Sequence, residues 1–351
     1  MNRKVFLVAG GSGGHVFPAI ALTQNIKDLN FHVLTDRRCR KLFENKAIKF
    51  SFVTSSPLKK NLFFFPKFLV YTMIGFLESF RIFLIEKPDV VLGFGGYTCF
   101  SPILTAKILS IPIILHEQNS VMGKANRFLS FFANKIALSY KKTKFSKDSK
   151  STYTGLPIRK IFFEAFSNNL KNKKIKILIL GGSQGASVFS KIFPEVFKLL
   201  NINEIKKLSV VQQARLEDIS RLQDCYKLIN LENEIKNFFN DVASEMKKAD
   251  IIITRCGASS LAEIESLCKF SFLFPLPNSK DNHQYENGKQ FSKKNSCIII
   301  DEKKINIIDL KKKIEEIVFI KKSYILDNNN NNNKNNSSYK MLELINKTLE
   351  K

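Results

Sequence analysis

The sequence predicts an α/β protein of two Rossmann-like, doubly wound domains facing a central cleft, on three observations. Compact apolar runs alternate with helix-like stretches along the chain, the pattern of parallel strands buried on both faces. Two glycine turns stand about half a chain apart, Gly10-Gly11-Ser12-Gly13-Gly14-His15 and Gly181-Gly182-Ser183-Gln184-Gly185-Ala186, each between an apolar run and a helix-like stretch. The third is length: 351 residues are too many for one ordinary core.

In the first half, strands are expected over 4–9, 31–35, 49–53, 89–93, 112–115 and 135–138, and the first helix from Pro18 to Lys27. From Tyr140 to Lys150 the chain turns polar and lysine-rich, and Thr154-Gly155-Leu156-Pro157-Ile158-Arg159 forms a turn, so the first domain is placed at 1–154. The second, 155–327, repeats the logic with strands near 175–180, 207–212, 235–239, 250–254, 271–274 and 297–301, and a helix from Ser187 to Leu200. An asparagine-rich stretch over 328–337 reads as a solvated linker. Beyond it, 338–351 carries Met341, Leu342, Leu344, Ile345 and Leu349 at helical spacing, an amphipathic helix expected to return to the N-terminal domain.

Six scattered cysteines without a C-x-x-C pair suggest neither a disulfide framework nor a zinc site, and no metal or cofactor is expected. The first strand begins by residue 5, which leaves no room for a signal peptide. A net charge of +25 fits either compositional drift toward lysine or an anionic partner. No zinc finger, RRM signature or basic heptad region is present, so no nucleic-acid partner is expected, and an anionic membrane surface is the better candidate. Leu58–Lys87 interleaves aromatic and basic residues, but its longest uncharged stretch, Phe68–Leu77, is ten residues. A spanning helix needs about 20. The segment is therefore expected not to span; it reads as a buried helix pair or as an amphipathic face with Lys59, Lys60 and Lys67 against lipid phosphates.

Strand, glycine turn and helix in that order build an anion site: glycine admits close backbone approach, and the first N–H groups of the helix face negative charge. The turns do not fit G-x-G-x-x-G, since Val16 stands where the last glycine belongs, and no G-x-x-x-x-G-K-[ST] occurs. Other strand-end segments are polar: Gly95-Gly96-Tyr97, His116-Glu117-Gln118-Asn119, Thr254 to Glu263, and Asp281 to Asn287. Each alone has an ordinary reading as a cap or a polar loop. Three of the four histidines, His15, His116 and His283, fall in these segments, which favours a site.

The set GGSGGHVFP (10–18), Gly95-Gly96-Tyr97, HEQN (116–119), GLPIR (155–159), GGSQGA (181–186), Arg255–Glu263 and Lys280–Asn287 closely resembles the MurG family, over nearly the whole chain and in order. These bacterial glycosyltransferases add N-acetylglucosamine from UDP-GlcNAc to undecaprenyl-pyrophosphoryl-MurNAc-pentapeptide, lipid I to lipid II of peptidoglycan synthesis. The resemblance implies a GT-B architecture, inverting metal-independent transfer, peripheral attachment to the cytoplasmic face of the inner membrane, and partners among cell-wall synthesis and division proteins. Carried over by position, Ser183 would hold the donor diphosphate. Ala258, Ser259, Ser260, Leu261, Ala262 and Glu263 would line the nucleotide, with Glu263 on the ribose. Phe239 would lie by the uracil, Gln284 and Asn287 would reach the sugar, and Arg159 would approach the diphosphate. Ser12, Gly13, Gly14 and Asn119 would complete the donor site, and Tyr97 would lie near the acceptor. Leu156 and Cys256 depart from the family pattern at positions without a chemical role.

The chemistry needs a base for the attacking C4 hydroxyl; His15 is the first choice and Glu117 the second. Two other readings stay open: a membrane-associated scaffold with a decayed site, and an epimerase of nucleotide sugars on the same architecture.

Overall fold

In a computed structural model, residues 3–44, 47–56, 65–164, 174–182, 186–320 and 336–350 are described. Contacts divide the chain into two units, Met1–Lys160 with Asn335–Lys351, and Ile161–Lys334.

Unit 1 is a seven-stranded parallel sheet of β1 (Lys4–Val8), β2 (Asn30–Thr35), β3 (Lys49–Phe52), β4 (Val90–Gly93), β5 (Ile113–Glu117), β6 (Lys135–Leu138) and β7 (Ser151–Tyr153), in the order β3-β2-β1-β4-β5-β6-β7. Its helices are α1 (Gly13–Asn25), α2 (Phe65–Glu86), α3 (Phe100–Ile108) and α4 (Lys124–Leu129). Strand alternation sends Val5 and Leu7 to one core with Val16 and Ile20 of α1, and Phe6 and Val8 to a second core with Phe83 of α2 and Ile103 of α3. Both faces are covered, so the strands read as continuous apolar runs.

Unit 2 has six parallel strands, β8 (Ile175–Leu180), β9 (Leu208–Gln213), β10 (Glu232–Lys236), β11 (Ile251–Thr254), β12 (Phe270–Leu273) and β13 (Cys297–Ile299), in the order β10-β9-β8-β11-β12-β13. Between and after them lie α5 (Ser187–Lys198), α6 (Ile202–Ile205), α7 (Leu216–Leu228), α8 (Val242–Lys248), α9 (Ala258–Leu267), α10 (His283–Phe291) and α11 (Ile307–Glu315). Phe189, Phe193 and Phe197, four apart on α5, are all buried in its core. The last helix, α12 (Ser337–Leu349), returns to unit 1, where Met341, Leu344 and Ile345 join the core under α1.

Several elements differ from the sequence expectation. Helix α1 begins at Gly13 directly from the glycine turn, and Pro18 lies inside it, removing only the N–H that would bond the Gly14 carbonyl. Strand β10 is three residues earlier than expected: its register is set by pairing with β9 at an edge, where polar Glu232 and Glu234 are tolerated, and Phe238-Phe239 fall in the following loop. Strand β7 was not anticipated, being three residues long and polar.

The units divide after Lys160, where 154 was expected, because the intervening residues are bonded to unit 1. Gly155 N–H donates to the Leu138 carbonyl at 3.1 Å, and Asn25 Nδ2 donates to the Ile158 carbonyl at 3.0 Å. Arg159 is thereby a unit 1 residue, with its guanidinium 5.0 Å from the Phe17 ring centre. Most of the asparagine run lies outside the described residues.

The described part of the aromatic segment is one helix, α2, which is long and apolar enough to cross a membrane by length and composition. Its two acidic residues serve the inner face, while Lys67 and Arg81 are exposed. Glu78 accepts from Thr54 N–H at 2.6 Å, and Glu86 accepts from Lys49 at 2.6 Å and Lys4 at 3.1 Å. With the edge-on contact of Phe83 with Phe6, these bonds dock α2 on the sheet. The opposite face leaves Leu69, Val70, Met73, Ile74, Leu77 and Ile85 exposed, Met73 by 61%. Lys59 and Lys60 lie outside the described residues.

Candidate active site at the strand ends

In a doubly wound sheet, ligands bind at the carboxyl ends of the strands where the winding reverses. In unit 1 that point lies between β1 and β4, so the turn at Gly10–Gly14 and the turn at Gly95–Tyr97 meet there. Gly11 adopts φ +79°, a left-handed conformation open to glycine, and its N–H donates to Asp36 Oδ2 at 2.6 Å. The same carboxylate accepts from Thr98 Oγ1 at 2.8 Å and from Arg38 Nε at 2.9 Å, binding together the ends of β1, β2 and β4. Burial alone would raise the Asp36 pKa; the bonds from Arg38, Thr98 and Gly11 outweigh it and hold the group below the usual carboxylate range.

Helix α1 starts at this turn. Its N-cap Ser12 takes the N–H of His15 and of Val16 on its carbonyl, both at 3.2 Å, and its first turn carries no acid. The N–H groups of Gly13 and Gly14 stand at the positive end of the helix dipole, the geometry of a phosphate seat.

His15 is half-buried, with Nδ1 3.2 Å from Gln118 Oε1. Burial lowers its pKa below 6.5, and the pull of Glu117, Gln118 and Phe94 in the other direction does not overcome that. The neutral imidazole therefore dominates at pH 7. Behind it His116 is fully buried, and burial lowers its pKa to about 4.

Glu117 is only 2% exposed, and its oxygens are committed. Oε1 accepts from the Asn119 N–H at 3.0 Å and Nδ2 at 3.2 Å; Oε2 accepts from the Gly123 N–H at 3.0 Å and Asn126 Nδ2 at 2.8 Å. This carboxylate shapes the loop that carries Asn119. Tyr97 stacks on Phe100, which stacks on Phe128.

In unit 2 the winding reverses between β8 and β11. After β8, Gly182 takes φ +81°; Ser183, Gln184 and Gly185 lie outside the described residues, so the place of Ser183 is not among the observations. After β11, Gly257 is the N-cap of α9 and no acid lies in the first turn. Ala258 and Leu261 are buried, Ser260 and Ala262 half-buried, and Glu263 is buried on the second turn. The Ser259 hydroxyl is buried without a hydrogen-bond partner among the described residues.

Asn287 on α10 is fully buried and donates to the Cys256 carbonyl at 3.2 Å, which places it beside the start of α9. Gln284, one turn earlier, accepts from the Leu276 N–H at 3.0 Å. Before α10, Asp281 and Asn282 both take left-handed backbone, φ +51° and +53°, the kind of strain that gathers at functional loops. Phe239 is buried in the loop after β10. Arg255 is held by an ion pair with Glu302 and lies over the Phe189 ring.

The structure thus gathers Ser12, Gly13, Gly14, His15, Tyr97, Glu117 and Asn119 on the neighbouring ends of β1, β4 and β5, and sets Ala258–Glu263 beside Asn287 in unit 2. Sequence reasoning gave no role to Asp36, Thr98 or Gln118. An acid directly after β2 was the one signal available for the first. No cluster of His, Cys, Asp or Glu suited to a metal occurs among the described residues.

Two doubly wound units with helix N-termini at both reversal points define a GT-B fold, and two family models make the chain a glycosyltransferase. Residues 5–138 match the glycosyltransferase family 28 N-terminal domain and residues 176–345 its C-terminal domain. A Rickettsia bellii protein is 37% identical over 297 residues, 82% of this chain and 83% of its own. A Wolbachia protein is 35% identical over 320 residues, 90% and 89% respectively. Both are named UDP-N-acetylglucosamine--N-acetylmuramyl-(pentapeptide) pyrophosphoryl-undecaprenol N-acetylglucosamine transferase. The chain belongs to the MurG family.

Among solved structures, Acinetobacter baumannii MurG superposes with a TM-score of 0.77 at 24% identity, covering 98% of this chain and 99% of that one. The UDP-GlcNAc 2-epimerase of Neisseria meningitidis, bound to UDP-GlcNAc, reaches 0.68 at 16% identity, covering 98% and 100%. Transferases and epimerases therefore share this fold, and the sequence relationship separates them.

Proposed function

We propose that this chain transfers N-acetylglucosamine from UDP-GlcNAc to the C4 hydroxyl of the muramyl sugar in undecaprenyl-pyrophosphoryl-MurNAc-pentapeptide. Membership of the MurG family supports the reaction. The observation that carries the mechanism is His15, a neutral imidazole at the reversal point of unit 1, beside a helix N-terminus free of acid.

His15 takes the proton of the hydroxyl as its oxygen forms the bond to the anomeric carbon and the bond to UDP breaks on the opposite face. Glu117 shapes the neighbouring loop and does not act as the base, since both of its oxygens are occupied by donors. The glycine turn of Gly13 and Gly14 seats the acceptor pyrophosphate, with Tyr97 near the acceptor, and Ser12, Gly13, Gly14 and Asn119 also complete the donor site. Unit 2 holds the donor: Glu263 on the ribose diol, Ser259 and the first turn of α9 on phosphate, Phe239 by the uracil, and Gln284 and Asn287 on the sugar. Ser183 and Arg159 add charge stabilisation to the departing diphosphate.

The acceptor is lipid-linked, and the exposed face of α2 suits a membrane surface. Elsewhere in unit 1, exposed Phe131 has Lys147 Nζ 3.4 Å above its ring, and exposed Phe145 has the Arg127 guanidinium 3.7 Å above its ring. Apolar side chains set among cations suit anionic lipid. Binding at the cytoplasmic leaflet of the inner membrane follows from this reading.

The test is product analysis with labelled UDP-GlcNAc and the lipid acceptor. Equal amounts of released UDP and acceptor one GlcNAc heavier are expected. An altered free nucleotide sugar would favour an epimerase, and no turnover would favour a scaffold.

A further inference from the structure

Gln118, buried at the end of β5, lies between two histidines and donates to two backbone carbonyls. Its Nε2 is 2.8 Å from the Phe94 carbonyl oxygen, 3.2 Å from the His116 carbonyl oxygen and 3.2 Å from His116 Nδ1. Its Oε1 is 3.2 Å from His15 Nδ1. The orientation of the amide follows from chemistry. A carbonyl oxygen only accepts, so the group facing two carbonyl oxygens must be the NH₂; reversed, the amide would set oxygen against oxygen at 2.8 Å.

Oε1 therefore faces His15, and because it only accepts, His15 Nδ1 must carry the proton. A neutral imidazole has one ring proton, so Nε2 bears the lone pair. The same logic orders the next residue: the second Gln118 N–H is shared between the His116 carbonyl and His116 Nδ1, and His116 Nε2–H donates to the Gly155 carbonyl at 3.2 Å. All donors in the chain from His15 to Gly155 have acceptors, in one consistent direction. The far edge of the His15 ring meets Gly96, at φ +78°, where a Cβ would lie 3.5 Å from Nε2.

We infer that Gln118 is the positioning residue that fixes His15 as the Nδ1–H tautomer and so presents Nε2 as the proton acceptor. The inference rests on the reading of His15 as the base. During transfer Nε2 gains the hydroxyl proton, Gln118 Oε1 keeps its bond to Nδ1–H, and the proton later passes from Nε2 to solvent. Of the charged or titratable neighbours, Glu117 favours the imidazolium and His116 opposes it, while Gln118 itself is uncharged and sets direction.

The experiment is ¹⁵N NMR of the full chain with labelled histidine at pH 8, the His15 signals being those lost in His15→Ala. The expected result is a pyrrole-type Nδ1 and a pyridine-type Nε2 for His15. Gln118→Met removes the acceptor and should move His15 toward the Nε2–H form that a free histidine side chain prefers, lowering kcat by at least ~10²-fold with KM little changed. A wild-type His15 protonated on Nε2 overturns the inference, and this spectrum decides even if the Met variant fails to fold. If the tautomer is as expected but His15→Ala turns over normally, the base assignment falls and the positioning stands.

Discussion

At the reversal point of unit 1 the polar groups are bound to one another: Asp36 to Gly11, Thr98 and Arg38, Glu117 to Asn119, Gly123 and Asn126, and Gln118 to His15 and His116. At the equivalent point of unit 2 the start of α9 presents a glycine cap, a first turn without acid and a buried serine hydroxyl with no partner among the described residues. The topology is the same, and in the proposed function the finish differs with the task. A proton must be held on one nitrogen, which takes fixed neighbours. A nucleotide sugar must be clasped and released, which takes hydrogen-bonding capacity left for the ligand.

The comparison breaks first at His15. His15→Ala should lower kcat by about 10²–10⁴-fold, the usual worth of a positioned base, with donor affinity unchanged, as read from steady-state rates at saturating donor. Asp36→Ala comes next. Thr98 loses an acceptor in a buried place, while exposed Gly11 and Arg38 can turn to water, so urea unfolding should show a loss of about 2–3 kcal/mol.

Acid should weaken unit 1 on a similar scale. His116 is held neutral with a pKa lowered to about 4, against 6.5 in the unfolded chain. Between those values the unfolded state binds more protons, so stability is present above pH 6.5 and declines as pH falls to about 4. The full difference is on the order of 3 kcal/mol, and denaturant midpoints at pH 7 and pH 4.5 check it. His32, also lowered to about 4, acts with the same sign. The smallest effect belongs to unit 2: Ser259→Ala should weaken UDP binding about 2–10-fold without lowering the unfolding midpoint, because no protein partner is lost.

Much of the framework was legible in the chain. Strands buried on both faces show as apolar runs, and the glycine turns and HEQN stood at the carboxyl ends of such runs. Legibility failed where partners are distant or composition is atypical. Gln118 reads as one polar residue among four, because its meaning depends on His15, 103 positions away. Asp36 depends likewise on Thr98, 62 positions on. The edge strands β7 and β10 are polar and were missed or displaced, since one-sided pairing relaxes the demand for apolar residues. In α2 the charge at Glu78 looked like an interruption, and only the docked face shows that it binds Thr54.

The division between a unit that fixes the proton and a unit that clasps the donor is tested most directly by calorimetric titration of UDP-GlcNAc into wild type, His15→Ala and Glu263→Ala. The prediction is an unchanged Kd for His15→Ala and a Kd about 10–150-fold weaker for Glu263→Ala, the worth of charge-assisted bonds to a ribose diol. Donor binding lost in His15→Ala and retained in Glu263→Ala would contradict it.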